Sequence, residues 1–194
     1  TLTSFKASQI MMQLPDVTKV LFVVDRKDLD TQTSREFNAF KEDSVDSTDN
    51  TSTSVKQLEQ SHDKLIVTTI QKLNRAISND RDAKQIEYLK NENVIFIFRE
   101  CRRSQFGDTQ QHIKKFFHQA HMFGFTGTPI FASNSSSGGK AHLKTTIQAF
   151  GCYSHGDPKN CPTDQPHQAA IHTYTIVDAI SDKNVLPFRI DYIS

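Results

Sequence analysis

Five apolar residues, Val94-Ile95-Phe96-Ile97-Phe98, run without a polar interruption and end in Arg99-Glu100. No other stretch limits the fold so strongly. A strand with one wetted face alternates polar and apolar side chains. A short continuous apolar run reads instead as a strand buried on both faces, the state of strands in a helix-covered parallel sheet. In open sheets of that kind, ligands sit beyond the carboxyl ends of the strands. Arg99 and Glu100 therefore stand where chemistry is expected.

The rest of the chain supplies the partners such a strand needs. A helix over 1–13 carries Leu2, Phe5, Ile10 and Met12 at helical spacing and is ended by Pro15. Strands are expected over 19–25, with Val20 to Val24 continuous, and over 64–69, with Leu65-Ile66-Val67. Between them a helix passes through Phe37 and Phe40, and 42–63 reads as a long polar loop with one helical turn near Val55 and Leu58. Helices follow over 71–77 and 82–89, separated by Asn79-Asp80. A further helix over 109–121 puts Ile113, Phe116, Phe117 and Ala120 on one face and leads to a short strand over 122–125. The end of the chain reads as a helix over 176–181 and an alternating strand, Leu186, Phe188, Ile190, Tyr192. Strands alternating with helices predict a three-layer α/β domain with a mostly parallel sheet.

Bulk properties exclude more than they assign. The length of 194 residues suits one domain with a sizeable core. Lys and Arg total 23 against 22 for Asp and Glu, so any nucleic-acid surface must be a local basic patch. No run approaches the roughly 18 apolar residues of a membrane span, and no secretory signal is recognised ahead of the first helix. Three widely spaced cysteines do not form a disulfide framework, so a cytoplasmic location is expected. Without a secretory signal, the two Asn-X-Ser patterns at Asn50 and Asn134 carry no meaning.

The residues after the central run carry a family resemblance. Glu100, Cys101, Arg103, Ser104, Gln105, Phe106 and Gly107 follow an apolar strand, as in D-E-C-H-R-S-Q-F-G. The chain here resembles motif II of the R (motor) subunit of type I restriction endonucleases, which are superfamily 2 helicase-like DNA translocases. It departs at Arg99, where the family has the magnesium-binding Asp, and at Arg102, where it has a coupling His. The opening Thr1-Leu2-Thr3-Ser4-Phe5-Lys6 is similar to the helix after the family's phosphate-binding loop, G-x-G-K-T-L-T-S-F-K. Thr1 then takes the nucleotide-side position that follows the loop lysine. Read so, the chain starts one residue after that lysine, and the first strand and phosphate loop are expected to be missing from the fold.

Three further motifs keep the family order. Val23-Val24-Asp25-Arg26 with Leu29 and Gln32 resembles motif Ia, where the strand end touches the DNA backbone. Arg26 and Lys27 then read as phosphate contacts, against the alternative of a solvated turn. Thr68, Thr69 and Gln71, in Ile66 to Leu73, resemble motif Ib and are open to two readings: hydrogen bonds to DNA phosphate, or capping of the next helix. Phe125-Thr126-Gly127-Thr128-Pro129 is similar to motif III, which couples the state of the nucleotide to a second lobe. Thr126 and Thr128 supply hydroxyls there, and Gly127 is expected to let backbone pass close. The resemblance spans most of the chain except 42–60 and 138–170. It divides the chain into a partial RecA-like lobe over 1–129, an insertion over 130–170 and the end of that lobe over 171–194, leading toward a second lobe.

The resemblance implies ATP and Mg²⁺ as cofactors, double-stranded DNA as substrate, and methyltransferase and specificity subunits as partners. Of the hydrolytic parts this chain keeps Glu100, which orients the attacking water in the family. At 4 Å and an effective dielectric near 20, one pair of unit charges is worth about 4 kcal/mol. Reversing the sign at Arg99 therefore weakens a divalent metal site on the order of a thousandfold. No cofactor is expected to bind this chain, and ATP hydrolysis is expected to be lost. Arg99, Arg102 and Arg103 can alternatively grip a phosphate, or Arg99 and Glu100 can pair locally. Two readings stay open: part of a translocating restriction motor, or a non-catalytic binding module descended from one. A missing central strand is also expected to leave a sheet edge through which chains self-associate.

Two local patterns fail on spacing. Ser135-Ser136-Ser137-Gly138-Gly139-Lys140 lacks the first glycine and the final hydroxyl of a phosphate loop. Cys152, His155, Cys161 and His167 suit zinc by type, but their spacing matches no well-attested finger, and no metal site is assigned.

Overall fold

Every neighbouring pair in the sheet is parallel. The computed structural model describes residues 2–24, 55–56, 58–59, 64–99, 104–130, 146, 150 and 171–187. Strands β1 (Lys19–Val24), β2 (Leu65–Thr69), β3 (Val94–Arg99) and β4 (His121–Phe125) form one sheet in the order β2-β1-β3-β4. This is the α/β architecture that the continuous apolar runs require, and among the described residues the sheet is wholly parallel.

Successive side chains of a strand point to opposite faces, so a continuous apolar run needs cover on both. On one face Val20, Phe22, Val24, Leu65, Val67, Ile95 and Ile97 pack with Phe5 of α1 (Leu2–Met11) and with Val17. On the other, Leu21, Val23, Ile66, Phe96 and Phe98 pack under α2 (Ile70–Ser78) and α4 (Ser104–Phe116). Phe96 stacks on Phe98 at 6.1 Å and meets Phe117 edge-on at 5.1 Å. The polar stretch before β2 contributes here too: Val55 and Leu58, in the expected helical turn, are 1% and 2% exposed.

Several element edges differ from expectation for identifiable reasons. The buried side of α1 is Ser4, Phe5 and Ser8, while Ile10 is 55% exposed. Small side chains let this helix lie close to the sheet, and Ser8 satisfies its hydroxyl by donating to the Phe5 carbonyl at 2.6 Å. The helix expected over 82–89 is two pieces, α3 (Asp80–Gln85) and a 3-10 turn (Glu87–Asn91) that buries Leu89, with Ile86 buried between them. Asn79 starts α3 by accepting from the amides of Arg81 and Asp82 at 3.0 and 3.3 Å. Helix α4 begins earlier than expected and ends at Phe116, because the His118 amide leaves the helical ladder and donates to the Lys90 carbonyl at 2.8 Å. Phe117 still reaches the core from this turn.

The final helix, α5 (Ile176–Ser181), stands as expected and opens on a capping box between Thr175 and Asp178. Leu186, assigned to a strand from its alternation, lies in irregular chain and is 86% exposed. The remainder of that strand, the helix through Phe37 and Phe40, and the Cys152, His155, Cys161 and His167 set lie outside the described residues. Among the described residues no helix is long and apolar enough to cross a membrane.

Candidate functional site at the carboxyl rim of the sheet

Because all four strands run the same way, their carboxyl ends share one edge of the sheet. Val24 pairs with Thr69, and Arg99 pairs with Phe125. The Val23–Phe98 pairing sets Val24 beside Arg99. One row therefore crosses the rim, Thr69, Val24, Arg99 and Phe125, over about 15 Å at the usual strand spacing. The motif stretches that lie far apart in sequence meet along this row.

Arg99 is the charged end of β3. Alternation from Ile95 and Ile97 puts its side chain on the face covered by α1. The residue is half-buried, and its Nη1 is buried without a hydrogen-bond partner among the described residues. Guanidinium has donors and no acceptor lone pair, so it cannot ligate a cation; an anion is what such a donor takes. Arg99 itself therefore offers no ligand to Mg²⁺. Glu100, Arg102 and Arg103 lie outside the described residues, as do Thr1, Arg26 and Lys27.

On the β2 side, Thr69 is the N-cap of α2, its Oγ1 accepting from the Lys72 amide at 3.2 Å. Of the two readings of this threonine, the cap is the one its geometry makes. Thr68 is 4% exposed, and its Oγ1 has no hydrogen-bond partner among the described residues. Gln71 is half-buried at the first turn of α2. Thr68 and Thr69 thus present no exposed hydroxyl at the rim.

On the β4 side, the Thr126 hydroxyl accepts from the Thr128 amide at 3.1 Å, closing a tight turn. Gly127 and Thr128 are exposed. The close approach expected at Gly127 is not made among the described residues, since nothing lies within 4 Å of where a Cβ would sit. The glycine whose Cβ position is occupied is Gly124, where a Cβ would meet the ring of Phe150 at 2.7 Å and displace it. Sequence reading passed over it as one residue of a short strand. Its partner is 26 positions away by residue number, and no local pattern announces such a contact.

No group of three or more His, Cys, Asp or Glu side chains suited to a metal ion occurs among the described residues. Comparison with known proteins gives the context for this rim. Residues 1–194 match the family model of the SWI2/SNF2 ATPase. Over 194 residues the chain is 47% identical to the type I restriction enzyme SsaAORF53P endonuclease subunit of Staphylococcus saprophyticus. It is 49% identical to the SauCOLORF180P endonuclease subunit of Staphylococcus aureus strain COL. These matches take in 100% of the chain and 18% of each relative, so the chain spans less than a fifth of their length. A C-terminal part of the type I restriction enzyme MpnIIP endonuclease subunit of Mycoplasma pneumoniae is 48% identical over 119 residues, 60% of the chain and 57% of that protein.

Proposed function

Because the chain belongs to the SWI2/SNF2 ATPase family, we propose that it is part of the first lobe of a type I restriction motor, the unit that couples ATP hydrolysis to translocation along double-stranded DNA. The supporting observation is the single rim on which the stretches resembling motifs Ib, II and III converge. In this reading the DNA backbone runs past Arg26, Lys27 and Gln71, and the Thr126 to Thr128 turn relays the state of the nucleotide. The methyltransferase and specificity subunits are the partners, and the enzyme works in the cytoplasm.

The same rim sets a limit on this chain. Arg99 places a half-buried cation, with a buried Nη1 that makes no hydrogen bond among the described residues, where the motor family holds its metal-binding acid. An unsatisfied buried donor is costly, and an anion relieves it while a divalent metal aggravates it. The chain as written is therefore an ATPase-defective form of that lobe. Arg99 equally favours the second reading, a binding module that grips partner protein or DNA backbone without turnover.

The test is Mg·ATP titration by calorimetry together with ATP turnover in the presence of DNA. Both are run on the unaltered chain and on Arg99→Asp/Arg102→His. The unaltered chain is expected to show neither metal-dependent binding nor turnover. Metal-dependent hydrolysis by the unaltered chain would overturn the ATPase-defective assignment. Metal binding that appears only in the altered chain would identify Arg99 and Arg102 as the lesion.

A further inference from the structure

The turn at Thr126 to Pro129 is held from both sides by residues that lie well beyond it in sequence. Before the turn, the Phe150 ring fills the space over Gly124, with Cε2 2.7 Å and Cδ2 2.8 Å from an added Cβ. That ring is also tilted at 59° against Phe98 of β3, at 5.8 Å. Immediately after the turn, Ile130 and Thr146 are joined twice. The Thr146 amide donates to the Ile130 carbonyl at 3.0 Å, and the Ile130 amide donates to the Thr146 hydroxyl at 2.9 Å. Within the turn, the Thr128 amide is held by the Thr126 hydroxyl.

We propose that Thr146 and Phe150 are positioning residues that clamp the Thr126 to Pro129 turn, so that these two residues set the conformation of the coupling turn. The physical reason is the location of β4. This strand is paired on one side only among the described residues, and its residues are half-buried or exposed, whereas β1 and β2 are buried throughout. An edge strand that runs straight into an exposed turn has few contacts to fix where that turn points. Phe150 supplies apolar packing at its base, and Thr146 closes its far end with a side-chain and a backbone hydrogen bond. Only glycine at 124 admits the ring, which ties the two positions together. The proposal rests on the motor reading for what the turn does, but not for the clamp itself.

The clamp is tested by amide hydrogen exchange on the full chain without nucleotide, following Thr128 and Ile130 against Phe96 in the core. The variants are Phe150→Ala, Gly124→Ala, their double, and Thr146→Val, which removes one hydroxyl from the far end of the turn and none of the core. Phe150→Ala and Gly124→Ala are each expected to speed exchange at Thr128 and Ile130 about tenfold beyond any change at Phe96. The double should go no further than the single changes, because either one already displaces the ring. Thr146→Val should speed Ile130 with Phe96 unmoved. Exchange at the turn that rises only in step with Phe96, or an additive double, would mean that Phe150 is ordinary core packing and would overturn the clamp. An unmoved Ile130 in Thr146→Val would do the same even if the ring variants failed to fold. No nucleotide is involved, so failure here leaves the motor reading standing, and failure of the ATP titration leaves the clamp standing.

Discussion

Thr68 and Thr69 are adjacent, similar in burial and opposite in energetic role. The Thr69 hydroxyl satisfies an amide at the start of α2, one of the four that a helix leaves without an internal partner. Thr69→Ala should cost about 1 kcal/mol, and Thr69→Ser should restore most of it. The Thr68 hydroxyl is buried without a hydrogen-bond partner among the described residues, on a strand whose Leu65, Ile66 and Val67 pack apolar groups. Thr68→Val keeps the shape and removes the orphan oxygen, so it should be neutral or stabilising by up to about 1 kcal/mol. Urea unfolding midpoints of the three variants check both signs; a loss of more than that in Thr68→Val would mean the hydroxyl is engaged after all. The T-T dipeptide told which two residues sit at a strand-to-helix junction. It could not tell which of them faced the amides, because that depends on where the strand ends.

Between elements, the loop ahead of β2 is bound to the core by more than its apolar anchors. Tyr88, within the 3-10 turn, donates its hydroxyl to the Leu58 carbonyl at 2.6 Å. Burial of that phenol end, with the carboxylates of Glu59 and Glu92 adding to it, pushes the Tyr88 hydroxyl above its ordinary range. A raised value means that the fold favours the neutral phenol. The stability from this tie is therefore fully present below about pH 10, the ordinary tyrosine value, and is lost as pH rises through the raised one. Tyr88→Phe should lose about 1 kcal/mol at neutral pH and should lose less than the parent between neutral pH and strongly alkaline solution. Unfolding midpoints at neutral pH and above pH 10 separate the two. Parallel alkaline losses in both proteins would remove Tyr88 as the cause. Other ties between elements have the same long-range character: Thr18 donates to the Glu92 carboxylate at 2.7 Å, and His112 shares a hydrogen bond with Asn74 at 2.9 Å.

At the scale of the whole molecule the sheet is asymmetric. Among the described residues β1 and β3 are paired on both sides and β2 and β4 are the outer strands; β2 is buried throughout, whereas on β4 Phe123 and Phe125 are only half-buried. An outer strand carrying half-buried aromatics invites a further strand. Sedimentation velocity over a hundredfold concentration range should show reversible association, and a concentration-independent monomer would refute it. The sequence by itself determined the class of fold, because uninterrupted apolar runs such as Val94 to Phe98, alternating with helical stretches, fit a helix-covered parallel sheet. It also located the rim, since each run ends in polar or charged residues. Tertiary structure alone decided the rest. Strand order put β2 and β4 on the outside of the described sheet, the close packing of α1 buried Ser4 and Ser8 and left Ile10 outside, and a ring at Phe150 gave Gly124 its reason. These facts depend on contacts between residues far apart in the chain, and a local pattern carries no information about what will come to lie across from it.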